Sequence, residues 1–157
     1  MSTRIRSRLA TPWVWLLLAA VVAWAAAVFW GSVIMRPATV PGPVDGVLGM
    51  VGPLGAHFAM YMVLSGLLLA LFSGLGWFPQ SKAAPLLVAV VLAAAYGGLM
   101  EVLQGMVPER HMSLLDAVVN TAGALVGAAG GAVVVLWFLS YRRRARAAEL
   151  DQRDARM

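Results

Sequence analysis

A small set of polar side chains stands out from an apolar chain: His57, Tyr61, Glu101, Gln104, Arg110, Ser113, Asp116 and Asn120. His57 with Glu101 or Asp116 supplies the residue types for general acid and base work. The flat guanidinium of Arg110 grips a phosphate or carboxylate through paired hydrogen bonds, or stabilises charge that develops in a reaction. Tyr61, Gln104, Ser113 and Asn120 add hydrogen-bonding groups for a ligand. An activated nucleophile is not evident. The chain has no cysteine, and neither Ser65 nor Ser113 lies in a G-x-S-x-G elbow. Hydrolysis would therefore need an activated water. His57, Glu101 and Asp116 are metal-ligand types without a recognised close spacing, so neither a metal nor a cofactor is expected.

Helical spacing groups these residues. His57, Tyr61 and Ser65 recur every four positions and share one helix face. Gly97, Glu101 and Gln104 share another. Asp116, Asn120, Gly123 and Gly127 share a third, which continues to Gly131. Small residues at four-residue steps let helix backbones approach closely in a membrane. Turning the three faces inward gives one polar pocket at one end of a bundle.

Each residue also has a plainer role. Ser113-Leu114-Leu115-Asp116 fits a capping box at a helix start. His57 fits an interfacial hydrogen-bonded histidine, and Glu101 an ion pair with Arg110 or His57. Asn120 fits interhelical glue. Glu109 and His111 read as solvated loop residues, and the glycines as packing residues first.

The composition demands a membrane. Of the 157 residues, 61% are hydrophobic and 12% charged, with a mean hydropathy of +0.82. Soluble domains hold about 45–50% apolar and about 25% charged residues, so a soluble fold and a disordered chain are both excluded. Apolar runs cover about 12–34, 54–75, 84–104 and 114–140, each long enough to span. The first reads as an uncleaved anchor, because its apolar stretch continues through Val28, Phe29 and Trp30, beyond the core of a signal peptide. Prolines and glycines between Pro37 and Pro53 mark a loop.

The net charge of +5 does not point to nucleic acid, because the arginines flank the apolar runs. Arg4, Arg6 and Arg8, then Lys82, then Arg142, Arg143, Arg144 and Arg146 fall on one side of a four-span chain. Basic flanks mark the cytoplasmic side. The expected fold is all-α, an integral membrane bundle of four transmembrane helices with both termini cytoplasmic. It forms a single domain over residues 1–141, with a basic cytoplasmic tail at 142–157. The polar pocket then opens outward.

The segment Gly98-Leu99-Met100-Glu101-Val102-Leu103-Gln104, followed by Pro108-Glu109-Arg110-His111-Met112-Ser113-Leu114-Leu115-Asp116 and Ala117-Val118-Val119-Asn120-Thr121-Ala122-Gly123, resembles the signature of the VanZ-like family. That signature reads E-x-x-Q, a short gap, then P-x-R-x-x-S-x-x-D-x-x-x-N-x-x-G. His57-Phe58-Ala59-Met60-Tyr61 resembles the family's earlier H-x-x-x-Y element. The resemblance covers residues 54–131 and reaches the first span only by hydropathy. Glu109 stands where the usual family form has glycine. The resemblance implies a multi-pass protein of the bacterial cytoplasmic membrane that contributes to glycopeptide resistance, above all to teicoplanin, and it supplies no biochemical mechanism.

Three functions compete. In the first, the outward pocket binds an amphiphile: a glycopeptide, a lipid-linked cell-wall precursor or a membrane lipid. In the second, His57 and Glu101 or Asp116 make the chain an intramembrane acid–base enzyme acting on such a lipid. In the third it is a carrier, which needs a polar path to both faces, whereas the cytoplasmic halves of the spans hold almost no ionisable residue. The topology is directly testable. Reporter fusions after residue 45 and after residue 110 should both read as external, and a cytoplasmic reading at either overturns it.

Overall fold

The computed structural model describes residues 11–34, 47–76, 81, 83–108 and 110–154, and all the regular structure among them is helical. Helix α1 covers Pro12–Phe29 and runs into a π-helical turn, Trp30–Ile34. Helices α2, α3 and α4 cover Val47–Leu75, Ala84–Gly105 and Leu114–Asp154. Arg4, Arg6, Arg8, Arg36, Lys82 and Glu109 lie outside the described residues, as does most of the Pro37–Pro53 segment.

Local chemistry sets the helix ends. Proline opens α1 at its first position, where a missing N–H costs nothing. Helix α2 closes on Gly76, whose φ of 64° is left-handed and whose N–H reaches the Phe72 carbonyl at 3.1 Å. Ser81 Oγ accepts the Ala84 N–H at 3.1 Å where α3 begins. Ser113 Oγ accepts the Asp116 N–H at 3.2 Å at the start of α4.

Two boundaries differ from the sequence expectation. The segment ending at Pro53 reads as a loop, yet α2 already begins at Val47 and carries Pro53 inside it. Proline removes one backbone bond, whereas a helix satisfies the remaining backbone groups of an apolar segment internally. The basic segment after Tyr141 continues α4 to Asp154, because it is rich in arginine and alanine and holds neither glycine nor proline.

Four helices are long and apolar enough to cross a membrane: Pro12–Ile34, Gly52–Leu75, Ala84–Gly105 and Leu114–Trp137. Their outward side chains match that setting. Leu16, Leu87, Val91, Leu99, Val118 and Val133 are all exposed, which suits lipid and not water. Trp137 and Tyr141 stack with ring centroids 6.0 Å apart at the end of the last span, where amphipathic rings favour the membrane–water boundary.

The packing gives the helix directions. Beside α2, Gly123 faces the Phe58 carbonyl, Gly127 the Met62 carbonyl and Gly131 the Leu69 side chain. The numbers rise together, so α2 and α4 run parallel. Helix α1 runs against α2, since Trp13 lies on Gly74 and the Trp24 indole N–H donates to the Met60 carbonyl at 2.9 Å. Helix α3 runs with α1, and the Tyr96 hydroxyl donates to the Ala25 carbonyl at 2.8 Å. The central core joins all of them through Val28, Tyr61, Leu64, Ala93, Met100 and Ala124. The end of α1, the start of α2, the end of α3 and the start of α4 therefore meet at one end of the bundle.

The α2–α4 approach depends on absent side chains. A Cβ on Gly127 would lie 1.9 Å from the Met62 carbonyl oxygen, and one on Gly123 would lie 2.3 Å from that of Phe58. Gly130, on the same helix, has open space around its Cβ position. Gly127→Ala should cost about 1–3 kcal/mol of stability through overpacking, read as a lowered unfolding temperature in detergent. Gly130→Ala should be neutral or slightly stabilising. Equal stability of the two variants would contradict the close approach.

Candidate functional site

Glu101 anchors the polar end. It sits in the last turns of α3 with 2% of its surface exposed. At 1.5 Å per residue, Glu101 and Asn120 lie about 6–9 Å inside the ends of their apolar spans. A carboxylate at such a site must be met by donors from the protein. Glu101 Oε2 accepts the Ser113 backbone N–H at 3.1 Å, and Oε1 accepts the Asn120 side-chain amide at 3.4 Å. The first donor is one of the unpaired N–H groups at a helix start, which carry partial positive charge.

Asn120 is the junction. It is 1% exposed, and its Oδ1 meets His57 Nδ1 at 3.0 Å. One amide thus ties α2 to α3 through α4. Gly97 makes room for it: a Cβ there would lie 3.1 Å from Asn120 Cβ and 3.2 Å from the Tyr61 ring. His57 is half-buried, whereas Asn120 and Glu101 are buried, so the chain of bonds leads from the interior toward the periphery.

Tyr61, one turn along α2 from His57, is fully buried at 0% exposure, and Gln104, one turn beyond Glu101, is 5% exposed. The Tyr61 hydroxyl and Gln104 Nε2 are both buried without a hydrogen-bond partner among the described residues. Buried polar groups are ordinarily paired. These two are exceptions to that rule, and they lie on the same helix faces as His57 and Glu101.

The remaining residues named from sequence take other positions. Asp116 stands at the third position of α4, where Ser113 caps its backbone N–H, and its side chain is half-buried. The Arg110 guanidinium donates to the Ser32 carbonyl in the π-helical turn that ends α1. Glu101 is met by a backbone N–H and an amide in the bonds described, and Arg110 by a carbonyl. His111 is exposed. Among the described residues no group of three or more His, Cys, Asp or Glu side chains is placed to hold a metal ion.

Sequence reasoning missed Ser32, Trp24 and Tyr96, which dock α1 onto the other helices. The sequence carried no signal for the Ser32 contact, because the acceptor there is a backbone carbonyl.

Fold and site define a class: an all-helical membrane protein with four candidate spans and a buried carboxylate–amide–imidazole chain at one end. The VanZ/LLP1 family matches residues 17–141, and the chain belongs to that family. The match takes in the first span as well as the motif-bearing helices. Comparisons with curated proteins and with solved structures returned no match.

Proposed function

We propose that this VanZ/LLP1 family protein binds the polar head of an amphiphile at the outer face of the bacterial cytoplasmic membrane, and thereby contributes to glycopeptide resistance, including to teicoplanin. The observation that carries this reading is the buried Glu101 carboxylate, linked through Asn120 to half-buried His57 beside the unpartnered Tyr61 hydroxyl and Gln104 amide. The Glu101–Asn120–His57 bonds join three helices, whereas the unpartnered Tyr61 and Gln104 groups add nothing to folding and are donors suited to a polar head. Arg110 brings a positive charge to the same end, which favours an anionic phosphate or carboxylate. An exposed apolar face of α4, formed by Leu114, Ala117, Val118, Thr121, Ala122 and Leu125, offers a surface for the tail. With both termini in the cytoplasm, this end faces outward, where a lipid-linked wall precursor or a glycopeptide is met.

A second reading draws on the same chain of bonds. A carboxylate, an amide and an imidazole in hydrogen-bonded sequence suit an intramembrane acid–base enzyme that modifies a lipid. Arg110 would then stabilise developing charge, and an activated water would be the nucleophile.

Native mass spectrometry of the protein extracted from its own membrane tests the binding reading. A lipid or lipid-linked precursor should remain bound to the wild type and be lost in Glu101→Gln and Arg110→Lys. Both variants should accumulate normally yet lose protection against teicoplanin, because glutamine removes the charge and lysine removes the planar fork. Full protection in both at wild-type protein levels would refute the proposal. Turnover of a labelled outer-leaflet lipid by the purified protein would decide for the enzyme.

A further inference from the structure

We infer that Glu101, acting through Asn120, holds neutral His57 as the Nδ1–H tautomer and leaves Nε2 as the proton-accepting atom of the site. The inference follows from hydrogen-bond parity. The Ser113 backbone N–H can only donate, and it donates to Glu101 Oε2 at 3.1 Å. As a carboxylate, Glu101 only accepts, so the group that Asn120 turns toward Oε1 must be its NH2, as found at 3.4 Å. The Asn120 amide is thereby oriented, and its Oδ1 is the atom left for His57. Oδ1 is an acceptor, and the imidazole nitrogen 3.0 Å from it is Nδ1. A neutral ring must then carry its proton on Nδ1, because the other tautomer would set two lone pairs against each other.

The consequence lies at the opposite edge of the ring. Nε2 has no hydrogen-bond partner among the described residues, and in this tautomer it carries a lone pair. It can take a hydrogen bond or a proton from a hydroxyl group or a water. Tyr61, one turn along the same helix, and Gln104 on α3 carry unpartnered donors at the same end of the bundle. The chemistry matches a hydroxyl-bearing polar head. Glu101 and Asn120 are positioning residues in this account, and His57 is the group that touches the ligand. Only the use to which Nε2 is put rests on the proposed function.

The chain has two histidines, so exposed His111 is replaced in a His111→Gln background, leaving His57 as the single imidazole. Nitrogen-15 NMR of this full-length protein, labelled at histidine, in lipid bilayers at about pH 8.5, where an ordinary imidazole is neutral, reads the tautomer. The expected spectrum has a protonated Nδ1 and an unprotonated Nε2, with the Nδ1–H form in roughly tenfold excess. Adding Glu101→Gln should invert the ratio. The glutamine oxygen must still take the Ser113 N–H, so its NH2 faces Asn120. The Asn120 amide then turns over, and His57 Nδ1 becomes an acceptor. Asn120→Leu should give a mixture of both forms. An Nε2–H tautomer in the parent protein overturns the inference without reference to any variant, and so does a ratio unchanged by Glu101→Gln. The expected tautomer in a protein that retains no lipid would keep the inference and remove the binding function.

Discussion

A carboxylate inside an apolar helix bundle must be met by donors from the protein itself, and the polar end of this molecule is arranged around that need. No bulk water is available within a span, so an unmatched charge at that depth costs several kcal/mol. Glu101 is matched by a backbone N–H at the start of α4 and by the side chain of Asn120. Hydrogen bonds to charged groups contribute about 1.5–3 kcal/mol each. The start of α4 must therefore fold back against the end of α3, and the short connection between them does this with Ser113 at the cap. One acidic residue thus sets the geometry of the turn, the rotation of α4 and the position of the amide that reaches His57.

That arrangement needs α2 close to α4, and glycine provides the approach. With Gly123 and Gly127 facing backbone carbonyls of α2, the two helices pack at a distance that larger residues forbid. In a membrane, where lipid tails are as apolar as leucine, close packing of this kind takes the place of the hydrophobic effect as the cohesive term. The stripe begins at Asn120 and continues as Gly123, Gly127 and Gly131, so the same face of α4 that carries the polar junction also carries the contact that positions it. The first helix is held differently. It buries few residues of its own, Val14 and Val28 in the core, and polar contacts at Trp24, Ala25 and Ser32 add to that packing.

Much of this was legible in the sequence. The spans could be read because a membrane demands uninterrupted apolar length, and the faces because His57 recurs in register with Tyr61 and Ser65, and Glu101 and Asn120 in register with glycine. Ser113 and Asp116 carried a capping signature that acts within a single turn. What could not be read depends on neighbours remote in sequence. The pairing of Arg110 with a backbone carbonyl at Ser32 bridges 78 residues, and a carbonyl leaves no trace in the residue type. The helical start of α2 was hidden because Pro53 and its neighbouring glycines are local breakers, and tertiary and membrane context overrode them. The continuation of α4 beyond Tyr141 was masked by its charge, which signals topology and is silent on helicity.

The central claim is that His57, Asn120 and Glu101 form one hydrogen-bonded unit linking α2, α4 and α3. A double-mutant cycle of His57→Phe and Glu101→Gln, read by unfolding of the protein in a mild detergent, tests it most directly. His57 and Glu101 lie on different helices and communicate through Asn120 in this account, so their effects should be coupled by about 0.5–3 kcal/mol. Effects that add to within about 0.3–0.5 kcal/mol, as independent sites do, would contradict it.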